Sequence, residues 1–163
     1  MTPAPDIRIV PATERDTGAI VTLIRELAAY ERIEDEMEAT EEDLREALFG
    51  EWPSAEAVLA YVGVELAGYA LFFHNFSTLL GRRGLYLEDI FVRPAHRHRG
   101  VGTRLFAHVA RIAVERRCGR LEWIALDWNE SAIRFYRSLG ARAMNEWTMY
   151  RLTGDALERA ADH

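Results

Sequence analysis

One cysteine, Cys118, stands in the whole chain of 163 residues. An intrachain disulfide is thereby excluded, and so is a cysteine-based zinc site. Long apolar runs are missing too, none approaching the roughly 20 residues of a membrane span. The opening MTPAPDIRIV has neither the basic start nor the apolar stretch of a secretory signal. The expectation is a cytoplasmic protein with no membrane partner. A basic excess is also lacking: Lys and Arg number 20, Asp and Glu 26, and the formal net charge is −6. That argues against nucleic acid as a partner and leaves room for a cationic substrate. Repeats and low-complexity tracts are absent. What remains is 49% hydrophobic and 28% charged, enough for one core, so a single domain over 1–163 is expected.

The pattern along the chain predicts its elements. Residues 7–10 read as a strand ended by Pro11. Ile20, Leu23, Ile24 and Leu27 recur at helical spacing within 14–30. Thr40 before Glu41, Glu42 and Asp43 reads as an N-cap with an acidic first turn, the helix ending at Gly50. Residues 57–62 and 66–73 are strand-like and joined by the short GVEL, which predicts a hairpin. HNFSTLLGRRG reads as a loop, and LYLEDIFV (85–92) as a strand stopped by Arg93-Pro94. A helix over about 101–117 follows, with Leu105, Val109, Ile112 and Arg116 on one stripe. RLEWIALDW reads as a strand, NESAIRFYRSLG as a helix capped by Asn129 and ended at Gly140, and EWTMYRL as a last strand. Strands and helices in this order imply an α/β fold, a mixed sheet flanked by helices.

The stretch RPAHRHRGVGTRL, Arg93 to Leu105, gathers four arginines, two histidines and two glycines in an otherwise acidic protein. It lies between a strand and a long helix. Amides at a helix start lack intrahelical partners, and the helix dipole adds partial positive charge there. Gly100 and Gly102 remove the Cβ atoms that would hold a ligand off those amides. Arg97 and Arg99 add charge, and His96 and His98 can assist. The combination points to an anion site suited to phosphate. It is not a Walker A loop, since no Gly-Lys-Ser/Thr is present, and Leu105 stands where a dinucleotide fingerprint needs its third glycine.

Arg97-His98-Arg99-Gly100-Val101-Gly102, followed some thirty residues later by NESAIRFYRSLGA, resembles the GNAT acyltransferase superfamily. The resemblance implies a mostly antiparallel sheet splayed between its two central strands, LYLEDIFV and RLEWIALDW. It implies acetyl-coenzyme A as co-substrate, with its pyrophosphate on residues 97 to 102 and on Thr103. The pantetheine arm would then pair with the backbone of Ile90, Phe91 and Val92. Asn129 and Ala132 match the family's Asn-x-x-Ala block and would also contact the coenzyme. Tyr136 matches the tyrosine placed near the coenzyme sulfur. A phenol with a pKa near 10 can give a proton to a departing thiolate. Read from spacing alone, Tyr136 is a core aromatic sharing a face with Ile133.

Glu88 and Asp89 stand inside an apolar strand, where carboxylates are costly unless paired or used. Strict alternation puts them on opposite faces. For Asp89 an ordinary salt bridge or hydrogen bond serves as well as function. For Glu88 the reading is function: an amine of pKa near 10.4 is neutral on the order of one time in a thousand at pH 7, and a carboxylate can bind and deprotonate it. IRELAAYERIEDE, HNFSTLLGRRGLYLEDIFV and ALDWNESAIRFYRSLGA together resemble the diamine (spermidine/spermine and thialysine) acetyltransferase branch. That resemblance implies a small amine substrate, with Tyr30, Glu31, Glu88 and Asp89 lining its site. The branch's Lys-Tyr-Glu is Ala29-Tyr30-Glu31 here, so the lysine is lost. It also implies a homodimer, with Trp147 in a strand near the contact. Glu34, Asp35 and Glu36 form either a solvated loop or a lure for a polycation. Cys118 reads as a packing residue, and no metal site is expected. A protein lysine or N-terminal acetyltransferase and a non-catalytic acyl-coenzyme A sensor remain as alternatives.

Overall fold

The computed structural model describes residues 6–162, so MTPAP lies outside the described residues. The chain divides into two compact units, one ending at Ile124 and one beginning at Ala125.

The first unit is built on a five-stranded sheet. Its strands are β1 (Ile7–Pro11), β2 (Glu56–Val62), β3 (Glu65–Ser77), β4 (Arg82–Val92) and β5 (Leu121–Glu122), in the spatial order β1-β2-β3-β4-β5. The first three pairings are antiparallel and β4–β5 is parallel. The helices are α1 (Thr17–Glu31), α2 (Glu41–Phe49) and α3 (Val101–Glu115). Thr40 caps α2 in a reciprocal box with Asp43, as its sequence suggests.

Ile20, Leu23, Leu27, Leu44 and Leu48 from α1 and α2 pack with Leu59, Tyr69, Leu71 and Phe91 of the sheet. Alternate residues Ala70 and Phe72, with Leu85 and Leu87, are buried outside that cluster. Helix α3 packs against β3 and β4 and buries Val101, Leu105 and Val109. Helices therefore cover both faces. Leu23 is fully buried, and truncating such a side chain to alanine costs about 2–5 kcal/mol.

Three strand expectations need correction. HNFSTLLGRRG is mostly hairpin: β3 continues to Ser77 and pairs with Arg82, leaving a short turn at 78–81 with Gly81 at φ 62°. Its polar residues misled because the ladder there is half exposed. RLEWIALDW pairs only at Leu121 and Glu122. EWTMYRL forms no strand: among the described residues it joins no ladder, the Trp147 amide bonding back to the Met144 carbonyl at 3.1 Å in a turn, and Trp147, Met149, Tyr150 and Leu152 are exposed.

The second unit holds α4 (Glu130–Ser138) and α5 (Gly154–Ala161). The Asn129 side chain accepts from the Ala132 amide at 3.3 Å, and Gly140 follows the helix end at φ 85°. Both are as the sequence predicts. α5 was not expected.

Candidate active site

The β4–β5 pairing covers Leu85↔Leu121 and Tyr86↔Glu122 only. From Leu87 onward β4 has no strand partner on that side among the described residues. This is the splay expected of the fold. Residues 88 to 92 lie along the opened edge, Ile90, Phe91 and Val92 included.

At the same point β4 bulges. Leu71 pairs with Asp89 and Phe72 with Leu87, so Glu88 is the extra residue. Strict alternation fails across it: Leu87 and Asp89, two residues apart, lie on opposite faces. Asp89, together with Phe91, lies on the face of Tyr69 and Leu71. Gly68 makes the neighbouring register possible, because a Cβ there would run into the Phe91 carbonyl oxygen.

Asp89 is largely buried, and the Tyr69 hydroxyl donates to its Oδ2 at 2.8 Å. Burial pushes the Asp89 carboxyl up to about 6, helped by the negative charges of Glu88 and Glu31, while the Tyr69 bond opposes the rise. Burial also raises the Glu31 carboxyl. Glu88 itself is exposed. The structure thus gathers three carboxylates: Glu31 from the last turn of α1, and Glu88 and Asp89 from the bulge. The charged groups that act on Asp89 are both acids. Glu34, Asp35 and Glu36 lie in a separate exposed turn.

The arginine-rich turn sorts into two kinds of residue. Arg93 is structural: its guanidinium holds Glu26 of α1 at 2.8 and 2.9 Å and the Leu66 carbonyl at 3.1 Å. Arg97 donates from Nε to the Val92 carbonyl at 2.9 Å and lies over the Tyr30 ring, 4.6 Å from its centroid. Its charge is therefore anchored beside the turn. Arg99, Thr103 and Arg104 are exposed. His96 is buried, with Nε2 facing Glu65 at 3.4 Å. His98 and Gly100 both take left-handed backbone, φ 59° and 84°. Left-handed residues in a turn of this kind are a feature of backbone nests, which bind anions through successive amides. Gly100 has nothing within 4 Å of where a Cβ would stand, and Gly102 has only a Val92 methyl at 3.7 Å. Val101 is the buried anchor of the helix start. Amides, open space and anchored charge fit a pyrophosphate group.

Residues 24–141 match the acetyltransferase (GNAT) family. The chain belongs to that family. The acetyltransferase is 37% identical over 166 residues to the thialysine N-epsilon-acetyltransferase of Bos taurus, covering 95% of this chain and 97% of that one. It is 48% identical over 95 residues to an L-ornithine N5-acetyltransferase of Arabidopsis thaliana, covering 58% of this chain and 42% of the other. Among solved structures it is similar to an integron cassette protein of V. cholerae, with a TM-score of 0.80 and 28% identity over 96% of this chain and 98% of that one.

Asn129, Ala132 and Tyr136 stand on α4 or at its cap in the second unit, Tyr136 tilted against Phe135 with ring centroids 5.6 Å apart. Sequence reading of this acetyltransferase missed Tyr69. A tyrosine in an apolar strand gives no sign of its partner, because the partner is set by the register of two strands. Among the described residues there is no metal-binding cluster, and no helix is long and apolar enough to cross a membrane.

Proposed function

We propose that this acetyltransferase moves an acetyl group from acetyl-coenzyme A to a primary amine of a small molecule, acting as one domain over residues 1–163. The observation that carries the reading is the gathering of Glu31, Glu88 and Asp89 at the bulge beside the opened edge of β4. Three carboxylates with no cation acting on the buried one suit a substrate that arrives as an ammonium. Relatives that act on thialysine and ornithine support the choice of a small diamino compound.

Bound acetyl-coenzyme A supplies an acyl group activated as a thioester. The nest from Arg97 to Gly102 and the side chain of Thr103 hold its pyrophosphate, and the backbone of Ile90, Phe91 and Val92 offers pairing groups for its arm. Asn129 and Ala132 complete the contacts. Tyr30, Glu31 and Asp89 orient the acceptor. Glu88, exposed at the bulge, takes the proton from the ammonium, directly or through a water. The neutral amine then attacks the acyl carbon in a direct transfer, the C–S bond breaks, the Tyr136 phenol gives a proton to the leaving sulfur, and the second proton shed by the acylated nitrogen restores the phenol. Holding the reactants in line supplies much of the acceleration. The enzyme works in the cytoplasm as a homodimer; exposed Trp147 and Met149 offer apolar surface to a second copy.

The test is mass-spectrometric identification of products from acetyl-coenzyme A with thialysine, ornithine, spermidine, putrescine and lysine. Acetylation of one of them at an amine supports the reading. Coenzyme binding by calorimetry without any product across that panel contradicts it.

A further inference from the structure

Tyr69 is fully buried on β3, among the residues packed under α1 and α2. A phenol needs a hydrogen-bond partner there. Its partner is Oδ2 of Asp89, 2.8 Å away. The two residues are diagonal neighbours across the β3–β4 ladder: Tyr69 pairs with Phe91, and Asp89 with Leu71. Asp89 shares this face with Phe91, and the slip at Glu88 parts it from Leu87, which faces the other way. A phenylalanine would fill the same core volume, so the hydroxyl serves Asp89 alone. Asp89 in turn keeps some exposure, and so stays open to a ligand.

We propose that Tyr69 is a positioning residue for the acceptor amine: its hydroxyl fixes the Asp89 carboxylate, at the bulge, as a seat for an ammonium group of the substrate. This rests on the small-amine reading above.

The groups that face Asp89 are Tyr69 from β3, Glu88 from β4 and Glu31 from α1. Burial and both carboxylates favour the neutral acid, and the Tyr69 bond alone favours the carboxylate. With the bond, Asp89 titrates near 6 and is mostly ionised at pH 7. Without it the titration moves up, and the seat loses its charge near neutrality. Tyr69 therefore sets the lower pH limit of amine binding. Its loss should touch neither coenzyme binding nor the chemical step.

The experiment compares full-length wild type, Tyr69→Phe, Asp89→Asn and the double variant between pH 6 and 9, with acetyl-coenzyme A and the best amine of the panel. Melting curves check folding. Tyr69→Phe is expected to raise KM for the amine about two- to tenfold at pH 7 and little at pH 9, the effect of a hydrogen bond to a charge. The acid limb of kcat/KM moves up by about one pH unit or more, while kcat and the KM for acetyl-coenzyme A stay near wild type. In the Asp89→Asn background the same substitution changes nothing further. An unmoved acid limb overturns the proposal, as does an equal loss at every pH that persists without the Asp89 charge. Silence of wild type toward every amine is a failure of the small-amine reading instead. A carbon-13 titration of the Asp89 carboxyl then decides for Tyr69, and an unchanged midpoint in Tyr69→Phe overturns its role.

Discussion

The Arg97 guanidinium lies over the Tyr30 ring at 4.6 Å while its Nε donates to the Val92 carbonyl at 2.9 Å. One side chain thereby ties the last turn of α1 to the end of β4 and to the glycine turn. A lysine keeps the charge but loses both the planar stack and the fixed donor. Arg97→Lys should lower stability by about 1 kcal/mol, the sum of a partly buried stack and one hydrogen bond. It should also raise KM for acetyl-coenzyme A and for the amine together. Steady-state kinetics on both substrates checks this; a change confined to the coenzyme would make Arg97 a phosphate ligand only.

The buried Asp89 carboxyl sets stability against binding. Its titration is raised from 3.8 to about 6, so between those values the folded state holds more protons than the unfolded state. Stability falls as pH rises through that window, and the full cost is present above it. Asp89→Asn removes the cost and leaves an oxygen to accept from Tyr69. It should stabilise the fold by about 2 kcal/mol at pH 8 and by little at pH 4, while amine affinity drops. Melting temperatures at the two pH values test this; equal shifts at both would show that ionisation is not the cause.

His98 and Gly100 share left-handed backbone but differ in what it costs them. At φ 59° His98 carries strain of about 1 kcal/mol that a glycine relieves. His98→Gly should leave the melting temperature unchanged or higher and keep coenzyme affinity within about twofold, because the amides and not the imidazole form the nest. Gly100→Ala has room for its methyl but not the backbone freedom at φ 84°. It should lose about 1 kcal/mol and bind coenzyme more weakly. Calorimetric titration with coenzyme A separates the two, and a tenfold loss in His98→Gly would assign the imidazole to the phosphate.

Tyr136→Phe keeps the ring beside Phe135 and removes only the proton donor. The expected result is a fall in kcat of about 10²-fold, with KM for acetyl-coenzyme A changed far less. Wild-type turnover would return Tyr136 to a packing role.

What the sequence could disclose follows from range. Caps and turns are local, so Thr40, Asn129 and Gly140 were legible from a few neighbours. The glycine turn was legible for the same reason, since its charge, its lack of side chains and its place before a helix lie within one stretch. The bulge at Glu88 was not, because register is a property of two strands. Alternation read along LYLEDIFV alone keeps Leu87 and Asp89 on one face and gives Tyr69 no partner. RLEWIALDW and EWTMYRL carry strand-like residues, but β-propensity describes a surface that fits a sheet, and pairing needs a neighbour. Arg93 and Arg97 showed their charge in the sequence and hid its use: their partners are Glu26, Val92 and Tyr30.

The central claim is that the carboxylates at the β4 bulge select a small ammonium acceptor. Its most direct test is a competition between thialysine or ornithine and a lysine-containing peptide for acetyl groups from acetyl-coenzyme A, in one reaction with the full-length enzyme. The account predicts a kcat/KM at least about tenfold higher for the small amine, and loss of that preference in Glu31→Gln with Asp89→Asn, as expected when charge sets the selection. Preferential acetylation of the peptide, or a preference indifferent to those substitutions, would contradict it.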